Sequence, residues 1–158
     1  MECKRIGSTD RERINAFIRE HWYTTIMIIR GKEVDMTRTE GFYFAEGNDI
    51  IGLITYMVYD DILEITSLDS MRENQGIGSR LVETVIQEAK KRNLHKIILI
   101  TTNDNINAIR FYQKRGFDMA HLFRNALDIS RKLKPDIPLI GEHNIPLRHE
   151  IEFELSIQ

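Results

Sequence analysis

Gln75-Gly76-Ile77-Gly78-Ser79-Arg80-Leu81 joins an apolar, β-rich run, Ile62 to Leu68, to the mouth of a strongly periodic helical segment. A strand that passes through a glycine turn into a helix points several unpaired backbone N–H groups at one spot, and the helix dipole adds partial positive charge there. Such a junction suits phosphate or another anion; it also serves as a tight turn with no ligand. Two familiar phosphate loops do not fit. A P-loop needs Gly-Lys-Ser/Thr, and no Lys follows Gly78. A dinucleotide fingerprint needs a small residue three positions after Gly78, where Leu81 stands.

The chain of 158 residues is long enough for one domain with a real core, and residues 1–158 are read as that single domain. A formal net charge of -2 gives no electrostatic case for nucleic acid. Cys3 is the one cysteine, so an internal disulfide is excluded and a reducing compartment is expected. With no apolar run long enough to span a bilayer and no secretory signal in Met1-Glu2-Cys3-Lys4-Arg5, the expected location is the cytoplasm, away from membranes.

Thr9 with Glu12 suggests a capping box for a helix through about His21, with Ile14, Phe17 and Ile18 on its core face. Lys32 to Glu40 reads as a polar loop. Gly41 to Glu46 and Ile50 to Val58 flank Gly47-Asn48-Asp49, a hairpin signal, and with Ile62 to Leu68 they predict an antiparallel meander. Ile77, Leu81, Val85, Ile86 and Ala89 recur at helical spacing from Gly76 to Arg92. Lys96 to Thr101 reads as a buried strand, Ile106 to Arg115 as a helix stopped by Gly116, and Phe117 to Leu122 as a strand. A short helix (Asn125 to Leu133), a proline-rich loop and a last strand (Glu150 to Ile157) complete the pattern.

Asn105, Ala108, Tyr112 and Gly116-Phe117 form a second constellation. Ala108 and Tyr112 share a helix face, and the small Ala108 admits a close approach. Taken alone, Tyr112 is more often a structural residue than a catalytic one. The two motifs together, Gly-x-Gly at one helix start and Asn-x-x-Ala-x-x-x-Tyr-x-x-x-Gly-Phe along the next helix, resemble the GCN5-related N-acetyltransferase superfamily from about Phe42 to Leu122. The segment around Asp128 to Pro135, with Ile145-Pro146, resembles a poorly characterised bacterial and archaeal subgroup.

That resemblance implies an α/β (α+β) fold. It has a mixed, mostly antiparallel central sheet of six to seven strands, about four flanking helices, and a V-shaped splay between the fourth and fifth strands. It implies acetyl-CoA as acyl-donor cosubstrate, with no metal. The backbone of Leu68, with Asp69, would pair with the pantetheine arm. The N–H groups of Glu73, Asn74, Gln75, Gly76, Ile77, Gly78 and Ser79, with Arg80 close by, would hold the diphosphate. Asn105 would reach the pantetheine, or only cap its helix. Ala108 would leave room for the cofactor, and Tyr112 would donate to the departing sulfur.

Two departures bear on the chemistry. Glu73 stands where the family commonly has Arg or Gln, so its carboxylate must point outward; Arg72 or Arg80 would restore positive charge, or both are surface residues. Asn74 stands where Gly is frequent, and Asn tolerates positive φ. Glu64 is the candidate base, read as sharing one strand side with Thr66 and Leu68; its alternative is a rim carboxylate paired with Lys or Arg. The expected activity is direct acetyl transfer to a small-molecule amine in a ternary complex, by a monomer or homodimer. Peptide or protein N-terminal acetylation and idle acyl-CoA binding are the competing readings.

Overall fold

The computed structural model describes residues 1–157. The chain begins with β1 (Cys3–Arg5), α1 (Arg11–Trp22), β2 (Ile26–Ile29) and β3 (Lys32–Asp35). A 3-10 turn, Met36–Arg38, leads to β4 (Glu40–Glu46), β5 (Asp49–Tyr59) and β6 (Ile62–Ser70). Then come α2 (Ile77–Lys91), β7 (Lys96–Thr102), α3 (Ile106–Lys114), β8 (Asp118–Phe123), α4 (Ala126–Leu133) and β9 (Glu150–Ser156). Among the described residues the fold is mixed α/β, with a seven-stranded, mostly antiparallel sheet and a separate two-stranded ribbon, β2–β3. The chain divides into two compact units.

The first unit holds Met1–Met27, Asp35–Ile97 and Ile157. Its strands lie in the order β1-β4-β5-β6, antiparallel neighbours throughout. The Gly47 turn has φ 58°, the left-handed conformation that a tight hairpin needs and glycine adopts at little cost. One sheet face carries α2. A Cβ on Gly52 would stand 2.4 Å from Ile77 Cγ2 and 3.2 Å from Leu81 Cδ1, so glycine is what lets α2 lie directly on β5. The stripe Ile77, Leu81, Val85 and Ala89 is buried there, each large aliphatic contributing about 1.5–3 kcal/mol. Glu88 anchors the far end of the helix through a bidentate pair with Arg5, at 2.8 and 3.1 Å. The other face carries α1, with Ile14, Phe17 and Ile18 buried.

The second unit holds Ile28–Val34 and Ile98–Ser156. The last strand inserts between its predecessors, giving the order β7-β9-β8, with β8 and β9 antiparallel. The proline-rich segment after α4 is tied down by single side chains. Arg131 donates to the Leu147 and Pro138 carbonyls. Asp104 Oδ2 accepts the Glu142 N–H at 2.8 Å, and a Cβ on Gly141 would collide with that carboxylate at 2.1 Å.

Two expectations need correction. The Thr9–Glu12 capping box does not form. The helix begins one residue later, with Asp10 as N-cap, and its carboxylate accepts instead from Gly7 N–H and the Tyr43 hydroxyl. Glu12 then sits one position too early to reach back. Lys32 to Glu40 is not a loop. Arg30 and Gly31, at φ 51° and 70°, close a tight hairpin, and Val34 and Met36 are buried. The N-terminal residues, for which no element was expected, form β1, which pairs with Phe42–Phe44 of β4.

Candidate functional site

In the first unit, the turn after β6 delivers the chain to α2 through Asn74 at φ 60° and Gly76 at φ 70°. Gly76 is the N-cap and has no side chain with which to cap the helix. The first helical hydrogen bond runs from Arg80 N–H to the Gly76 carbonyl, at 3.0 Å. The N–H groups of Ile77 and Gly78 lie before it, within the turn that has no helical carbonyl to bond. Glu73 is exposed. Arg72 is committed to Glu46 in a bidentate pair, and Arg80 lies over the Phe44 ring at 4.6 Å. The turn therefore offers backbone donors and dipole rather than side-chain charge.

The pairing of β5 with β6 overturns the expected grouping of Glu64 with Leu68. Register passes from Ile54↔Leu68 and Thr55↔Ser67 to Tyr56↔Ile65 and Met57↔Glu64. Thr66 is the extra residue of a bulge, and each side chain beyond it changes face. Glu64 therefore lies on the α1 face with Ser67 and Asp69, while Leu68 lies on the α2 face with Ile54. The Thr55 hydroxyl bridges the bulge, 2.7 Å from Thr66 Oγ1 and 2.6 Å from Ser67 Oγ.

Glu64 is fully buried and accepts the Tyr59 hydroxyl at 2.8 Å; it is not a rim carboxylate. Asp69, half-buried at the end of β6, accepts the Trp22 indole N–H at 3.1 Å. Burial raises its carboxyl above the ordinary value, partly offset by that hydrogen bond and by His21. Neither Tyr59 nor Trp22 stood out in the sequence. Tyr59 is two residues from Glu64's cross-strand partner, Met57, so a correct register would have found it. Trp22 lies 47 residues from Asp69, and no local pattern links them.

In the second unit, Asn105 is the N-cap of α3. Its side-chain oxygen accepts the Ala108 N–H at 3.1 Å, so capping is real and leaves its amide N–H groups for another partner. Tyr112 is buried at 5% exposure, edge-on to Phe111 and Phe117 and tilted against Phe153. Its carbonyl accepts from Arg115 and Phe117 N–H, so Gly116 and Phe117 fix the helix end that bears the ring.

Cys3 offers no evident nucleophile. Burial raises its thiol, partly offset by the Thr84 hydroxyl and by Arg80, which favours the unreactive protonated form. Among the described residues, no three His, Cys, Asp or Glu side chains gather as a metal site, and no helix is long and apolar enough to cross a membrane.

The profile described as the Acetyltransferase (GNAT) family matches residues 10–117. The chain belongs to this family and is an acetyltransferase of the acetyl-CoA-dependent class. It is 43% identical over 149 residues to the uncharacterized protein YxbD of Bacillus subtilis, covering 94% of each chain. With the uncharacterized protein YdhI of the same organism it shares 46% over 142 residues, 89% of each. Among solved structures it is similar to a GNAT family acetyltransferase from Elizabethkingia anophelis with acetyl-CoA bound. That match has a TM-score of 0.64 and 27% identity, covering 77% of this chain and 78% of that one.

Proposed function

We propose that the whole chain acts as one cytoplasmic domain that moves an acetyl group from acetyl-CoA to the amine of a small molecule, by direct attack in a ternary complex. The observation that carries this reading is the uncapped, glycine-led start of α2. An N-terminus with no side chain of its own to satisfy it suits a diphosphate. The backbone of Leu68 and Asp69 would take the pantetheine arm, the N–H groups from Glu73 to Ser79, beside Arg80, the diphosphate, and Asn105 and Ala108 the remainder of the cofactor.

Acyl transfer to an amine requires a deprotonated amine, a polarised thioester carbonyl and a stabilised thiolate. In this reading Glu64, being fully buried, receives the amine proton through water, the Leu68 N–H polarises the carbonyl, and Tyr112 donates to the departing sulfur. A phenol, with an ordinary pKa of about 10, carries the proton needed at neutral pH. No acyl-enzyme is required, in keeping with the shielded, protonated Cys3.

The test is thermal stability with and without CoA, together with calorimetry. CoA at ~100 times its Kd adds about 2.7 kcal/mol by linkage. No shift and no binding heat would defeat the reading. CoA binding without thiol release across a panel of small amines and peptides would favour an idle acyl-CoA binder. Release with peptides alone would make the acceptor a chain terminus.

A further inference from the structure

The acceptor side of the reaction leaves Asp69 to be explained. Its carboxylate lies on the same sheet face as Glu64, because the bulge at Thr66 returns both to the α1 side. One oxygen accepts the indole N–H of Trp22 at 3.1 Å. That donor is neutral, and among the described residues this carboxylate forms no ion pair. The groups facing it are His21 and Trp22 from α1, Leu53 from β5 and Ser67 on its own strand. Burial works against its charge. A half-buried carboxylate that is fixed in place by a neutral donor is stabilised by a cation brought from outside. Apolar surface lies beside it: Trp22 is 42% exposed and Met71, two residues along, is 43% exposed.

Resting on the acetyl-transfer reading, we propose that Asp69, held by Trp22, binds a positively charged group of the acceptor other than the amine that is acetylated. The substrate class is then a linear diamine or longer polyamine, its ammonium on the Asp69 carboxylate and its carbon chain on the exposed side of Trp22. The Asp69 side chain thus serves the acceptor, while its backbone stays with the cofactor.

Calorimetry with cadaverine and n-pentylamine, each with and without saturating CoA, tests the assignment. The two amines match in length and differ only in the terminal ammonium. Cadaverine should bind the parent about tenfold more tightly than n-pentylamine. Asp69→Asn keeps an acceptor for the indole and should abolish that preference; Trp22→Phe, which removes the indole N–H, should reduce it. Equal binding of the two amines by the parent, or an undiminished preference in Asp69→Asn, would overturn the proposal. Loss of CoA binding in Asp69→Asn would place the side chain on the cofactor and overturn it too. Failure of the parent to bind CoA at all defeats the acetyl-transfer reading instead, and the amine measurements without CoA still decide the role of Asp69.

Discussion

Two helices begin at residues proposed to hold the cofactor, and they begin differently. α3 starts on Asn105, whose own side chain accepts the Ala108 N–H. α2 starts on Gly76, with no side-chain cap. A capped start has satisfied one of its orphan donors internally, and a glycine start has no side chain of its own to do so. The difference suggests a division of labour: α2 supplies affinity for an anion, while α3 is a self-sufficient post that holds Tyr112. On the proposed reading the contrast also lowers the weight of Glu73. Where binding comes from backbone N–H groups, an exposed carboxylate nearby matters less than the φ of 70° at Gly76.

The largest effect expected from this division lies on α3. Tyr112→Phe removes one hydroxyl and keeps the ring packed on Phe117 and Phe153. Turnover should fall ~10²–10⁴-fold, with the CoA Kd nearly unchanged; steady-state kinetics beside calorimetry separate the two. A matching loss of CoA affinity would erase the division. Glu64→Gln should instead lower the rate most at low pH and recover as more neutral amine forms.

Next comes α2 itself. Gly76→Val should remove most of the ~2.7 kcal/mol that saturating CoA adds to stability. A Cβ at Gly76 meets no heavy atom within 4 Å, so the damage comes from forcing a β-branched residue to positive φ, which displaces the donors. Retained CoA binding in this variant would show that the turn is not the anion site. Asn105→Ala should cost about 1 kcal/mol of folding stability, as lost caps do, read by urea unfolding, and weaken CoA less than Gly76→Val does.

The smallest effect concerns how α2 is anchored at its other end. The Arg5 guanidinium holds the Glu88 carboxyl below its ordinary value, and Arg92 assists. A lowered acid contributes stability that is present above the unfolded-state value and is lost as pH falls through the folded one. Glu88→Gln should cost about 1 kcal/mol near neutrality, discounted for the half-exposed Arg5, and nothing once the parent's carboxyl is protonated. Unfolding midpoints across the acid range measure it, and parallel curves for parent and variant would rule the pair out as a contributor.

Long periodic segments were legible in the residues. The stripe from Ile77 to Ala89 predicts α2 to within a residue at its N-terminal end, and Asn105 with Gly116 frames α3, because those signals are local and repeated. The meander was readable from Gly47-Asn48-Asp49 for the same reason. β1 was not: three residues, two of them exposed, acquire strand structure only by pairing with Phe42–Phe44. The β2–β3 ribbon was hidden because Arg30, not a second glycine, takes one of the two left-handed positions of its turn. In the candidate site, the backbone positions were legible and the side-chain directions were not. Strict alternation put Glu64 beside Leu68, whereas Thr66 breaks the alternation and puts Glu64 beside Asp69.

That one extra residue gives β6 a length that can shrink at the bulge without turning any other side chain over. A substitution at Thr66 alters a hydroxyl. Deleting Thr66 would restore unbroken alternation and leave Glu64, Ser67 and Asp69 on the α1 face and Ile65 and Leu68 on the α2 face, since Thr66 is the residue that β5 does not match. A relative could therefore lose the bulge and keep both faces, whereas one more residue between Glu64 and Leu68 would turn one end of the strand over.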